Sequence, residues 1–159
     1  MGQQAVRGFY NITQTIKDAL ISDVNINTVT SGSISNVNLN KQDIFPLGHV
    51  MVNTVTDEEN VLRFDLSILA ADIVDQSKDL TIDNFVGNNN EQDILNTQLN
   101  VLNVLAQKLR KGNLHQDRYQ LENNPTMTPF YDRFENMLAG WSMNLEVLIY
   151  NDINICIDD

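Results

Sequence analysis

The sequence predicts an α+β protein, in which a mostly antiparallel sheet includes a long β-hairpin and two to three helices pack on one face. Three segments carry apolar residues at the 3.6-residue spacing of amphipathic helices, and several others alternate apolar with polar residues, as half-buried strands do. Their order is helix, strand, hairpin, helix, strand, helix, strand, which favours antiparallel pairing with helices on one side. With 159 residues, 42% of them hydrophobic, the chain fits a single domain spanning residues 1–159.

The first helix is predicted over about residues 5–21. Its apolar stripe consists of Phe9, Ile12, Ile16, Ala19 and Leu20. After Asp23 the segment VNINTVT alternates as a short strand would. The polar segment from Ser31 to Gly48 is too long for a hairpin turn, and loops of this length are usually functional or form contacts.

A β-hairpin follows, in which HVMVNTVT and VLRFDLSILAADIVDQ flank the charged turn DEEN at residues 57–60. One face of the second arm carries apolar side chains, namely Leu62, Phe64, Leu66, Ile68, Ala70 and Val74. The other face carries Arg63, Asp65 and Ser67, so we expect it to be wet or to contact a partner. Because the arm exceeds the usual strand length of about 5–6 residues, we expect it to project beyond the sheet.

The strongest helix signal lies in EQDILNTQLNVLNVLAQKLRKG. Its stripe consists of Ile94, Leu95, Leu99, Leu102, Leu105, Ala106 and Leu109. Asn90 is suited to cap its start and Gly112 to end it, while acidic residues begin the helix and basic residues close it, as the helix dipole favours. A short strand with Tyr119 and Leu121 on one face is predicted after it.

A late helix and a final strand complete the predicted fold. Thr128 is a plausible N-cap with Pro129 in the first turn, and Gly140 ends this helix, with Trp141 as its last apolar side chain. From Met143 onward, odd-numbered positions are apolar and even-numbered ones mostly polar. This alternation predicts a strand with one face on the core and one face free for a neighbour.

Charge and cysteine content restrict the classes of function. A formal net charge of −11 argues against binding nucleic acid by neutralising phosphates, although an acidic surface lets DNA pass without sticking. The single cysteine, Cys156, cannot form an internal disulfide, so reducing conditions are expected, and it is interpreted as a packing residue. The N-terminus lacks a signal-peptide pattern and no apolar run is long enough to span a membrane, so we expect a soluble protein made in the cytoplasm.

Catalytic and metal-binding motifs are missing from the sequence. No glycines have the spacing of a phosphate-binding loop, and His49 and His115 lack ligand partners at metal-site spacing. An acidic series at residues 72, 75, 79 and 83 lacks the alternation and central glycine of a calcium loop. We therefore expect no enzymatic activity, no cofactor and no metal.

The element order, with the hairpin arm VLRFDLSILAADIVD, the amphipathic central helix and the stretch FENMLAGW leading into the last strand, resembles the tail terminator (tail-completion) proteins of tailed bacteriophages. The resemblance covers nearly the whole chain and rests on element order. It implies a structural virion protein that forms a ring, typically hexameric, on the head-proximal end of the tail tube. Such a ring stops tube polymerisation, joins the tail to the neck or connector proteins, and lets DNA pass without sequence-specific binding.

Two apolar groups within polar segments are candidates for anchoring a ring neighbour: Ile44 and Phe45 in one segment, and Ile82, Phe85 and Val86 in the other. Packing on the protein's own core is the alternative for both. Another neck or tail-tube component of similar fold, and an acidic DNA-mimic inhibitor, are the alternative functions.

Overall fold

The computed structural model describes residues 8–33, 44–74, 90–111, 119–122, 124–133 and 138–150. Its two helices are α1 (Gly8–Ile21) and α2 (Glu91–Lys111). Its six strands are β1 (Thr28–Ser31), β2 (Leu47–Asp57), β3 (Val61–Ile73), β4 (Tyr119–Leu121), β5 (Thr126–Arg133) and β6 (Leu138–Tyr150). The predicted α+β class with a mostly antiparallel sheet is confirmed.

The sheet is organised around β3 and β6. These two strands pair antiparallel along their full length, from Val61 opposite Tyr150 to Ile73 opposite Leu138. β2 pairs with the other edge of β3, and β1 adds to β2 as the parallel strand. β4 and β5 lie one after the other along the outer edge of β6. The strands with the most continuous apolar alternation therefore occupy the centre.

Both helices pack on one face of this sheet, which we call the helix face. Its central side chains are Val50, Phe64, Leu66, Ile68, Met143, Leu145, Val147 and Ile149, all 3% exposed or less. Helix α1 contributes Ile12, Ile16 and Leu20, and α2 contributes a stripe from Val101 to Leu109. Burying each large aliphatic side chain contributes about 1.5–3 kcal/mol, so this face holds most of the apolar burial.

The helix stripes differ in detail from the predictions. Phe9 was expected to lie on the core but is 52% exposed, and it contacts the neighbouring ring of Tyr10 edge to face. In α2 the buried face includes Gln98, which is polar and was not expected there. The strand predicted at residues 24–30 begins only at Thr28, because the Asp23 carboxylate accepts the Asn25 N–H in a turn and leaves Val24 exposed.

The expected late helix is wrong in the part of it that the structure describes. Thr128 and Pro129 lie in β5, and Gly140 and Trp141 lie in β6. The proline is tolerated because β5 is an edge strand. Gly140 does not end a helix, since a Cβ placed there would strike the Ala70 carbonyl oxygen and lie 2.8 Å from the Ala71 Cα. It allows β6 to approach β3 closely.

The hairpin turn is confirmed, but its second arm does not project beyond the sheet. Residues 58–60 connect β2 and β3, and the Glu58 N–H donates to the Val61 carbonyl at 2.9 Å. The arm is matched by β6, which is equally long and pairs with all of it. No helix in the described residues is long and apolar enough to cross a membrane.

Candidate assembly surface

The side of the sheet opposite the helices carries a surface that we call the polar face. It is formed by alternate residues of β3 and β6, namely Arg63, Asp65, Ser67, Asn144 and Glu146, with Thr54 and Thr56 of β2 beside them. Both described helices lie on the other side of the sheet. The expectation that Arg63, Asp65 and Ser67 share a face away from the core is confirmed.

A row of three side chains crosses the polar face. The Asn53 side-chain amide donates to Ser67 Oγ at 2.8 Å, and Ser67 Oγ donates to Asn144 Oδ1 at 2.7 Å. The row links β2, β3 and β6. It depends on a bulge, since the register of β2 shifts between Val52 and Thr54, and the extra residue places Asn53 where its amide reaches Ser67. These hydrogen bonds hold the exposed side chains of Asn53 and Asn144 against Ser67, which is only 9% exposed.

Arg63 lies at the centre of a second group on this face. Its Nε is 3.1 Å from Glu58 Oε2, its Nη1 is 2.9 Å from Glu146 Oε2, and its Nη2 is 3.7 Å from Glu122 Oε1. Hydrogen bonds to Glu58 and then to Glu146 raise the pKa of Arg63 above its ordinary value, so it stays charged. With Asp65 directly opposite Glu146 on the paired strand, one cation faces four carboxylates and the face is acidic.

The same side of the sheet becomes apolar toward the other end of the strands. Phe45, Leu47, Ala71, Phe130 and Leu138 form a separate buried cluster there. Ile44, Leu69 and Ile73 are partly buried against it. Phe130 lies opposite Gly140, where the backbone of β3 occupies the space that a side chain would need. The polar face is therefore bordered by a small apolar cluster.

The structure places two of the five anchor residues predicted from sequence. Phe45 is 8% exposed and packs in the apolar cluster of its own chain, with Ile44 beside it. Their role toward a neighbouring subunit stays a prediction, carried more by the partly buried Ile44 than by Phe45. Ile82, Phe85 and Val86 lie outside the described residues.

His49 occupies a fully buried position on the same side of the sheet as the polar face. Its Nδ1 is 2.6 Å from Thr30 Oγ1 and its Nε2 is 2.8 Å from the Gly32 carbonyl. Burial lowers the pKa of His49 below its ordinary value of 6.5, although the bond to the Gly32 carbonyl opposes this shift. The neutral ring donates from Nε2 and accepts from the threonine hydroxyl, which ties β1 to β2. Among the described residues, no three His, Cys, Asp or Glu side chains are grouped to hold a metal ion.

Sequence reasoning missed two features of this region. The cross-strand row could not be found because alternation assigns a face but not the register between strands, and the bulge at Asn53 has no sequence signal. The hydrogen bond from Trp141 Nε1 to the Leu95 carbonyl, at 2.8 Å, was also missed. It joins β6 to α2 and fits an amphipathic tryptophan with its ring on the core.

Comparison with known proteins identifies no family for this chain. No model of a known protein family matches the chain, and no curated protein matches its sequence.

Proposed function

We propose that this chain is the tail terminator protein of a tailed bacteriophage. It is a structural subunit that forms a ring, typically of six copies, on the head-proximal end of the tail tube, where it ends tube polymerisation and joins the neck. DNA passes through the ring without sequence-specific contacts. The observation that carries the proposal is the polar face, an ordered surface on the side of the sheet away from both helices.

The chemistry of the polar face supports assembly. Protein interfaces outside permanent complexes have polar areas with about one hydrogen bond per 100–200 Å². The row of Asn53, Ser67 and Asn144 presents amide and hydroxyl groups whose positions are already fixed. Partners that meet such a surface lose less side-chain entropy on binding. The bordering apolar cluster is itself buried, and the partly buried Ile44, Leu69 and Ile73 at its margin would supply the apolar component of an interface.

The acidity of the chain supports a position around DNA. A net charge of −11 repels a phosphate backbone, and the polar face itself carries more acids than bases. Repulsion keeps DNA mobile in a channel, whereas a basic lining would hold it. The DNA-mimic alternative is less well supported, because Arg63 pairs with the acids of this face and reduces the phosphate-like field that a mimic needs.

The test is whether the purified chain stops growth of the tail-tube protein of the same phage. Tube lengths measured by electron microscopy should shorten as the chain is added, and one ring should be visible at one end of each tube. Rings stacked along the tube would instead indicate the alternative of a tube component, and tubes of unchanged length with no ring would contradict the proposal.

A matched pair of variants tests whether the polar face is the assembly surface. Thr54→Arg adds bulk to an exposed position of the polar face, next to Asp65 with which the new guanidinium can pair. Gln14→Arg makes the same change on the exposed side of α1. We expect Thr54→Arg to reduce ring formation or tube capping at least about tenfold, as expected for a hot-spot loss, and Gln14→Arg to leave both unchanged. Equal effects from the two variants would remove the polar face as the assembly surface.

A further inference from the structure

A cavity of about 250 Å³ lies between the end of β3 and the first turns of α2. We call it the α2 groove. The residues of its lining that matter here are Asp72 of β3 and Asp93, Thr97 and Gln98 of α2. None of the residues that line it is basic.

The groove contains a buried acceptor without a donor. Gln98 is 1% exposed, and its Oε1 has no hydrogen-bond partner among the described residues. An unpaired buried amide oxygen costs about 1–3 kcal/mol, so a donor from outside the described residues would stabilise it. An apolar residue at position 98 would suit the α2 stripe better. A glutamine there favours binding of a donor at the expense of the stability of the fold.

Two carboxylates line the same groove. Asp72 accepts the Ile73 N–H at 2.8 Å and has no basic partner in the described residues. Desolvation raises the pKa of Asp72, and the bond from Ile73 only partly offsets it. Asp93 lies on the exposed side of the same groove. An amide oxygen and two carboxylates together match a group that only donates, which is the chemistry of a lysine ammonium or an arginine guanidinium.

The opposite end of α2 carries such groups. Lys108 and Arg110 lie in the last turn, and Arg110 is exposed. All ion pairs among the described residues belong to Arg63, so neither of these two cations has an acidic partner there. At 1.5 Å per residue, they lie about 22–26 Å along the helix from Asp93, too far to reach the groove of their own chain.

We propose that the α2 groove receives Lys108 and Arg110 from a second copy of this chain, so that copies meet head to tail through the two ends of α2. A contact of this type uses different surfaces on the two partners and closes into a ring when its rotation allows. Copies with a net charge of −11 repel one another, and this contact pairs the acids of one copy with cations of the next that have no acidic partner among the described residues. The inference rests on the proposed function only in taking the chain to self-associate.

The experiment exchanges charges between the two ends in the full-length chain and measures self-association by sedimentation velocity at low and high salt. Asp93→Lys reverses the groove, and Lys108→Glu combined with Arg110→Glu reverses the helix end. Each variant alone should self-associate at least about tenfold more weakly than the wild type. An equimolar mixture of the two should recover association, because each reversed surface then finds its complement. Asp18→Lys, on exposed α1, is the control for net charge and should change association less than about threefold.

Gln98→Leu supplies a second and independent readout. It removes the unpaired acceptor, so the isolated chain should unfold at a higher urea concentration than the wild type while its self-association weakens. A variant that is both more stable and less associated cannot owe its loss to misfolding. The inference is overturned if the mixture fails to recover association, if Asp18→Lys weakens it as much as Asp93→Lys, or if the wild type remains monomeric at low salt.

The same measurements separate this contact from the proposed function. Rings that form regardless of these charges would overturn the head-to-tail contact and leave the tail-terminator proposal intact. Charge-dependent association in a chain that does not shorten tail tubes would support the contact and overturn the terminator proposal.

Discussion

The two sides of β3 and β6 are made by neighbouring residues with different roles. On the helix face, Leu66 and Leu145 are 0% and 3% exposed and lie opposite each other in the paired strands. On the polar face, the adjacent pair Ser67 and Asn144 is joined by a hydrogen bond, and Asn144 remains exposed. The first pair stabilises the fold by burial, whereas the second orders a surface that solvent or a partner can reach.

This difference implies that folding and the proposed assembly depend on separate sets of residues within the same strands. Substitutions on the helix face should act on the free energy of unfolding. Substitutions on the polar face should act mainly on contacts with other molecules. The following predictions test that separation, beginning with the largest expected effect.

Leu66→Ala should lower the free energy of unfolding by about 3–4 kcal/mol, because it deletes a fully buried side chain at the centre of the helix face. Urea unfolding measures the change. Val55→Ala is the matched control, since Val55 lies on the same side of the sheet but is 47% exposed, and it should lose less than about 1 kcal/mol. Similar losses in the two variants would contradict the burial difference.

Gly140→Ala should cost about 2–3 kcal/mol, because the added methyl group strikes the backbone of Ala70 and Ala71, which cannot move without separating β3 from β6. Gly48→Ala is the control in a buried strand. There an added Cβ comes no closer than 3.4 Å to any neighbour, and the nearest atoms are side-chain methyl groups. Thermal unfolding followed by circular dichroism should rank Gly140→Ala well below Gly48→Ala.

Ser67→Ala should cost only about 0.5–1.5 kcal/mol, although Ser67 is the neighbour of Leu66. The substitution removes one donor and one acceptor from the row, and both Asn53 and Asn144 are exposed enough for water to replace the lost bonds. The same variant should weaken tube capping by more than its stability loss explains. A loss of stability as large as that of Leu66→Ala would mean that the polar face is part of the core.

His49 allows a prediction of how stability depends on pH. It is buried on the side of the sheet that carries the polar face. Its folded-state pKa is lowered by burial, so the unfolded chain binds a proton first as pH falls. The free energy of unfolding should therefore decrease as pH drops below about 6.5, until the folded state also becomes protonated. His49→Gln should remove this slope in urea titrations between pH 7.5 and 5, while His115→Gln should retain it. A slope that survives in His49→Gln would assign the effect to another group.

Asp72 makes stability depend on pH in the opposite direction. Because desolvation raises its folded-state pKa, the folded chain binds the proton first, and the contribution of Asp72 to stability increases as pH falls toward its raised pKa. This effect and that of His49 have opposite signs. The two can be separated by repeating the titration with Asp72→Asn, in which the low-pH gain should be absent.

The sequence predicted the fold class, the hairpin turn, the C-terminal end of α1 and the faces of β3 and β6, because alternation and helical spacing are local signals. It was wrong at Gly140 and Trp141, where the apolar residues are spaced as in a helix. In the structure β6 lies close to β3 at this point, and that close approach follows only from the register of the two strands. The polar face was predicted only as a face. Its row depends on a bulge and on pairing between residues 77 positions apart, and neither follows from local pattern.

β6 is the last element that the structure describes, and it lies between β3 on one side and β4 and β5 on the other. During synthesis, the last residue of β3 is made 65 residues before the first residue of β6, and until then the backbone N–H and C=O groups on that edge of β3 stay unpaired. The pairing of β3, β4 and β5 and the hydrogen bond from Trp141 to α2 all require β6. The polar face also lacks Asn144 and Glu146 until then. The polar face is therefore complete only once β6 has been made, together with the fold, so a chain cut before β6 lacks both.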